Sequence, residues 1–293
     1  MNRSRIAVLA LLAVAAAWGS TFFLTKDLLT RMDVADYLAL RFLIAAVALI
    51  AIHPPAISKL SRLDRGRGVA LGIMYGVAQL VQTEGLRHTS ASVSGFVTGM
   101  YVVFTPLLAA VILRHKIGKW AWVAVVLATV GLGVLSLRGF SMGTGELLTL
   151  ASAGLYALHI IGLGAWSTPG NAFGLSALQM VTITVVCAVG AIPGGFSLPS
   201  GTGDWIAVIY MALIAGAVAL IVQTWAQAHL TPTRAAIAMT MEPVFASAFA
   251  VLFGTESVTG RMLIGGALVM SAMYLVELAP RRKFEAEVQH LGQ

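Results

Sequence analysis

The sequence predicts an all-α integral membrane protein, with ten transmembrane helices arranged as two inverted five-helix repeats around a central cavity. Three observations carry that expectation. The 293-residue chain is 58% hydrophobic and 11% charged, whereas ordinary soluble domains are roughly 25% charged. A soluble fold of this length would still leave about half its residues facing water, so it could not hide this much apolar surface. Apolar runs long enough to span a bilayer recur between short charged or Gly/Pro-containing breaks. Finally, VQTEGLRH at 81–88 and VQTWAQAH at 222–229 share Val, Gln, Thr and His at an offset of 141.

The runs lie at about 6–25, 36–53, 68–87, 91–113, 120–137, 145–166, 173–192, 204–227, 233–252 and 259–278. The first begins in MNRSRIAVLALLAVAAAWG, whose basic start and small residues also describe a cleavable signal peptide. It continues through Thr21, Phe22, Phe23 and Leu24, near the length a span needs, and is read as a retained helix. With the N-terminus inside, the cytoplasmic segments hold thirteen of the Lys and Arg residues and the outer segments five. The thirteen include Arg62, Arg65 and Arg67, with Arg281, Arg282 and Lys283 in the tail. Both termini are therefore expected in the cytoplasm. This distribution also explains the net charge of +7 without nucleic acid, and Cys187, the one cysteine, has no partner for a disulfide.

Residues 6–137 and 145–278 form the expected repeats, followed by a cytoplasmic tail at 279–293. The stretch AAAWGST (15–21) parallels AGLYALH (153–159), setting Trp18 opposite Tyr156. Five spans per repeat place the halves upside down relative to one another. That build is common among secondary transporters, whose site lies near the midplane between the halves.

The spans differ in what they carry. The first contains Trp18, and the second holds Arg41, the one Lys or Arg that lies away from the ends of a span. In the third, Tyr75, Gln79 and Gln82 fall at i, i+4 and i+7 and share a face. The fourth repeats that rule with Ser94, Thr98, Tyr101 and Thr105, and the sixth with Ser152, Tyr156 and His159. Gln179 lies in the seventh, and Gln223 and Gln227 in the eighth. Polar side chains in hydrocarbon need partners, so these faces point inward. Ser and Thr commonly bond their own backbone or join helices, whereas mid-span Tyr, Gln and His are stronger site candidates. Trp120, Trp122, Trp166 and Trp205 lie near span ends, as interfacial residues do. Gly72 with Gly76 and Gly95 with Gly99 form small-xxx-small pairs suited to close helix contact.

The expected substrate site is therefore lined by Trp18, Tyr75, Gln79, Gln82, Tyr101, Tyr156 and His159. Aromatic rings and amides with few fixed charges suit a neutral or zwitterionic small molecule with a flat apolar part. In the ninth span, Glu242 precedes Pro243. An acidic group at that depth costs roughly 2.5–3.5 kcal/mol, and proline loosens the helix around it. Glu242 is either a structural partner for a cation such as Arg41, which also has Glu84 as an option, or a titratable coupling group. Gly76, Gly95, Pro106 and Pro243 are the hinge candidates.

Several stretches together resemble the drug/metabolite transporter superfamily and its EamA-type branch. They are Trp18–Phe22, Arg41-Phe42, Glu242-Pro243-Val244-Phe245 and Gly254-Thr255-Glu256. The resemblance covers about 10–280, and departs at Arg114-His115-Lys116, where an acidic residue would follow the fourth span. It implies a multi-pass carrier of the bacterial inner membrane that exports amino acids or related metabolites. The aromatic faces lean toward the branch's aromatic amino-acid exporters, whose members also pass flat organic cations.

Other classes fit less well. GTGD at 201–204 matches a Gly-x-Gly-Asp protease motif, but Asp204 only begins a span and no second Asp lies in the interior of one. His-Glu-x-x-His and a Gly-rich phosphate loop are both lacking, so no enzyme, cofactor or metal is expected. A membrane scaffold would not need polar faces converging at mid-depth. The expected partners are a small-molecule substrate and the lipid bilayer, with no nucleic acid, and homo-oligomerisation stays open.

Overall fold

The computed structural model describes residues 3–112, 119–136, 142–227, 229–230 and 238–278. Among these the secondary structure is helical, without strands. The first half contains α1 (Arg3–Leu28), α2 (Val34–Ile52), α3 (Arg62–Arg87), α4 (Ala91–Thr98), α5 (Tyr101–Ile112) and α6 (Lys119–Ser136). The second contains α7 (Thr144–Trp166), α8 (Ala172–Ala191), α9 (Thr202–Ala212), α10 (Ala219–Gln227), α11 (Glu242–Leu252) and α12 (Gly260–Leu278). A π-helical segment, Leu213–Val218, joins α9 to α10. The tail at 279–293, the Arg114-His115-Lys116 stretch and Arg234 lie outside the described residues.

Six helical stretches among the described residues are long and apolar enough to cross a membrane: Ile6–Leu28, Val34–Ile52, Ala91–Ile112, Thr144–Trp166, Ala172–Gly194 and Thr202–Gln227. Trp122–Leu135, Glu242–Leu252 and Gly260–Leu275 are shorter apolar helices. The expected run at 68–87 is helical throughout, but α3 belongs to neither set. Its buried face carries Tyr75, Gln79 and Thr83, and Glu84 and Arg87 occupy its last turns. The same side chains that mark α3 as a site element dilute its hydropathy.

Polarity is distributed inside out relative to a soluble protein. Val126, Val185, Val189, Ile206, Leu263 and Ile264 are exposed, while Arg41, Gln79, His159, Gln179, Gln223 and Glu242 are buried. An apolar exterior around a polar interior is the arrangement lipid favours.

The main packing runs between the halves. α3 lies against α7 and α8, α2 against α8, α6 against α12, and α1 and α4 against α11. Two close approaches explain the small-residue pairs. A Cβ on Gly72 would stand 2.5 Å from the Cβ of Thr182, and one on Gly95 would stand 2.6 Å from the Cβ of Ala246. Gly76 meets Val186 on the same α3–α8 seam. Hydroxyls cap two helix starts: Ser61 accepts from the Asp64 amide and Ser90 from the Val93 amide.

Candidate functional site

The bundle contains three irregular segments. α4 and α5 are separated by a turn at Gly99 and Met100, and α11 is preceded by a turn at Thr240 and Met241. These turns are 141 residues apart, the offset of the internal repeat. Tyr101 and Glu242, the first residues of α5 and α11, are therefore positional equivalents, and they bond each other. The Tyr101 hydroxyl donates to Glu242 Oε2 at 2.9 Å. The third irregularity is the π segment, a rare geometry that recurs at functional sites. Its Ala215 carbonyl accepts the Trp18 indole N–H at 2.9 Å.

Beside the first two of these segments lies a cavity of about 60 Å³, lined by Thr98 and Tyr101 on one break and Met239 and Glu242 on the other. The structure brings Trp18, Tyr75, Gln79, Gln82, Tyr101, Tyr156 and His159 together in its wall, along with Arg41 and Glu242. Helical periodicity explains the convergence on α3, because residues at i, i+4 and i+7 share a face. The rings are mutually ordered: Tyr75 meets Tyr156 edge-on at 5.5 Å and His159 at 5.0 Å between centroids. Such edge contacts are favourable ring geometries. The volume is well below the roughly 300 Å³ at the lower end of small-molecule sites. Binding anything larger than a few waters requires the lining helices to part.

Hydrogen bonds commit most of the polar wall. The Tyr156 hydroxyl donates to Gln82 Oε1 at 2.7 Å, and Gln82 Nε2 donates to Thr98 Oγ1 at 2.9 Å. His159 Nε2 pairs with Gln179 Oε1 at 2.8 Å, which fixes the ring from behind. Thr105 and Ser152, which share the predicted faces, bond backbone carbonyls of their own helices instead.

Arg41 departs from expectation. It makes no ion pair with Glu84 or Glu242, nor with any other described residue. Its Nε donates to the Met211 carbonyl at 3.2 Å and an Nη to the Tyr37 hydroxyl at 3.1 Å, with Phe42 beneath it at 5.2 Å. Glu84 lies at the end of α3 beside Arg87 and His88, and Glu242 is held by Tyr101. Two buried groups of opposite charge thus face one cavity, each supported among the described residues by neutral partners alone.

Of the hinge candidates, Gly76 and Gly95 lie within continuous helix, and Pro106 lies inside α5. Pro243 falls in the first turn of α11, directly after the break at Thr240–Met241. The wall also includes residues beyond the seven expected, among them Thr21, Thr25, Thr83, Thr98, Gln223 and Met239. Thr98 and Gln223 are among the inward-facing polar residues read from the sequence, and the repeat offset makes Gln223 the counterpart of Gln82.

The motifs carrying the family resemblance have structural roles near this site. The Glu256 carboxylate accepts from the Ala91 amide at 2.6 Å and the Ser92 amide at 3.2 Å, which caps the start of α4. The Ser20 hydroxyl bonds the Tyr210 hydroxyl at 2.8 Å, tying α1 to α9.

Comparison with known proteins agrees with this picture. The model of the EamA-like transporter family matches twice, at residues 5–137 and 143–278. An uncharacterized transporter of Archaeoglobus fulgidus is 29% identical over 271 residues, covering 92% of this chain and 85% of that protein. A WAT1-related chloroplastic protein of Arabidopsis thaliana is 25% identical over 280 residues, covering 88% of this chain and 66% of its own. One solved crystal structure shares the fold, with a TM-score of 0.68 and 17% identity over 92% of this chain and 96% of that one. The double match spans nearly the whole sequence, and the chain belongs to the EamA-like transporter family.

Proposed function

We propose that this membrane transporter exports small zwitterionic metabolites, aromatic or other neutral amino acids above all, across the bacterial inner membrane by alternating access. The observation carrying the reading is the unpaired opposite charges of Arg41 and Glu242 in one cavity wall. An α-carboxylate would meet Arg41, whose fork geometry suits two parallel hydrogen bonds, and an α-ammonium would meet Glu242. The rings of Trp18, Tyr75, Tyr101 and Tyr156 would take a flat side chain. A substrate that carries both charges relieves both buried groups at once. An organic cation would use Glu242 and leave Arg41 as a repulsive neighbour.

Broken helices at mid-bundle support alternating access, because discontinuous helices form the site in many carriers built from inverted repeats. The packing supports the repeat itself. Exchanging the five expected spans of one half for those of the other leaves the α2–α8 and α6–α12 pairs unchanged and turns the α3–α7 pair into α10–α1, which is also in contact. With the predicted topology, the rim at the ends of α1 and α3 faces outward. There Arg31 pairs with Asp204 at 2.8 Å, Ser197 binds Asp36, and Thr89 binds Glu146. These links across the halves fit a state sealed on the outer side.

The test is uptake of labelled Phe, Trp, Thr and Cys into proteoliposomes containing this protein alone, with and without an imposed pH gradient. Saturable flux that Phe and Trp compete for is the expected result. Flux without the gradient would make Glu242 an anchor alone, and flux only with it would add a coupling role. No flux of any of the four would overturn the substrate assignment.

A further inference from the structure

The internal repeat exposes an asymmetry at the site. Gln82 and Gln223 occupy equivalent positions 141 residues apart, and both line the cavity. Gln82 is satisfied on both ends of its amide, by Tyr156 and Thr98. The counterpart of Thr98 at the same offset is Met239, which offers no such group. The counterpart of Tyr156 in the parallel stretches is Trp18, whose single N–H is already given to Ala215. Gln223 is 2% exposed, and its Oε1 is buried with no hydrogen-bond partner among the described residues. A buried amide oxygen without a donor is costly to keep, and this one sits in the wall of a site whose other polar groups are largely committed.

We propose that Gln223 recognises the substrate's primary ammonium, its side-chain oxygen accepting one N–H while Glu242 balances the charge. The proposal rests on the zwitterion reading above and assigns the two tasks to different residues. Glu242 senses charge, which any cationic nitrogen supplies. Gln223 senses an N–H donor, which a fully methylated nitrogen lacks. A site built around a donor rejects an analogue without it, because the buried acceptor is then left unpaired.

The probes are phenylalanine and its N-methyl, N,N-dimethyl and N,N,N-trimethyl derivatives, competing with labelled phenylalanine in proteoliposomes. With wild-type protein, the trimethyl compound should compete about tenfold or more weakly than the dimethyl compound, which keeps one N–H. In Gln223→Met that step should shrink to within about twofold, with phenylalanine itself weakened. Should Gln223→Met fail to insert, the wild-type series decides, and equal competition by the dimethyl and trimethyl compounds overturns the proposal. If phenylalanine is carried and Gln223→Met leaves the step unchanged, this assignment falls while the zwitterion reading stands. If no member of the series is carried or competes, both fall together.

Discussion

At the rim formed by the ends of α1 and α3, Arg31 meets Asp27 and Asp204, Arg87 meets Asp33, and Lys26 caps the carbonyls of Leu86 and Arg87. In the cavity, Arg41 rests on a carbonyl, a phenol and a ring, and Glu242 on a single hydroxyl. Among these rim charges Arg31, Asp27 and Asp33 are exposed, where water would solvate them anyway, and the two arginines each have a carboxylate partner. The cavity charges are buried, where solvation is lost, and neither has a charged partner among the described residues. Ordinary stabilisation predicts the opposite ordering, since burial makes a counter-ion more valuable. The difference teaches that the rim arginines join segments together, and under the proposed function the cavity charges wait for a substrate that carries both of their partners.

The largest effect should come from Arg41→Met, which removes the cation and keeps bulk against Phe42. Losing a desolvated charge partner costs about 2–5 kcal/mol, roughly 30-fold or more in the apparent affinity for labelled phenylalanine. Competition by phenethylamine, which has no carboxylate, should hold or strengthen, because a repulsive neighbour is gone. Equal loss for both compounds would mean Arg41 only supports the fold, and the contrast with the rim would collapse.

Tyr101→Phe tests the other charge. It deletes the hydroxyl that donates to Glu242 and keeps the ring. A hydrogen bond to a charged group contributes about 1.5–3 kcal/mol, so phenylalanine transport should fall by roughly 10-fold or more. Unchanged kinetics would show that Glu242 does not depend on its positional equivalent across the repeat.

These two experiments concern residues that were unequally legible in the sequence. Tyr75, Gln79 and Gln82 could be placed on one face because helical periodicity is a property of the backbone, independent of what packs around it. Tyr101 and Tyr156 followed by the same rule. The neutral surroundings of Arg41 could not be read, because choosing among Glu84, Glu242 and a backbone carbonyl depends on distances that only the assembled bundle sets. The π segment LIAGAV has no proline or polar marker, so nothing local announces it. The breaks fall at Gly99–Met100, four residues after Gly95, and at Thr240–Met241, just before Pro243, and at both the chain tightens locally to i→i−3 bonds, which no residue pattern announces. Gln223 was legible as a mid-span amide and as the counterpart of Gln82, but its lack of a partner was not, because that depends on what Met239, standing where the first half has Thr98, leaves around it.

Gln82→Met probes the satisfied member of that pair. It strips the Tyr156 hydroxyl and Thr98 of their shared partner, and a buried group left unpaired costs about 1–3 kcal/mol. Thermal unfolding in detergent should therefore fall by several degrees, whereas Gln223→Met should leave the midpoint unchanged or raise it. Equal destabilisation by both would mean that Gln223 is as structural as Gln82.

The smallest effect belongs to the rim. Asp27, then Asp204, hold the Arg31 guanidinium above its usual range, so it stays charged below its unfolded-state pKa and throughout the working pH range. Arg31 is 39% exposed and Asp27 68%, and exposed pairs contribute only about 0.2–1 kcal/mol, less in salt. Arg31→Ala should therefore shift thermal unfolding by at most a few degrees, and added salt should narrow that gap. Transport offers the sharper reading, because the Arg31–Asp204 pair joins the two halves. If Arg31→Ala changes phenylalanine flux severalfold while leaving unfolding nearly unmoved, the rim pair biases which side of the cavity is closed. If flux and stability move together and slightly, the rim charges are only surface pairing, and all the functional charge lies in the cavity.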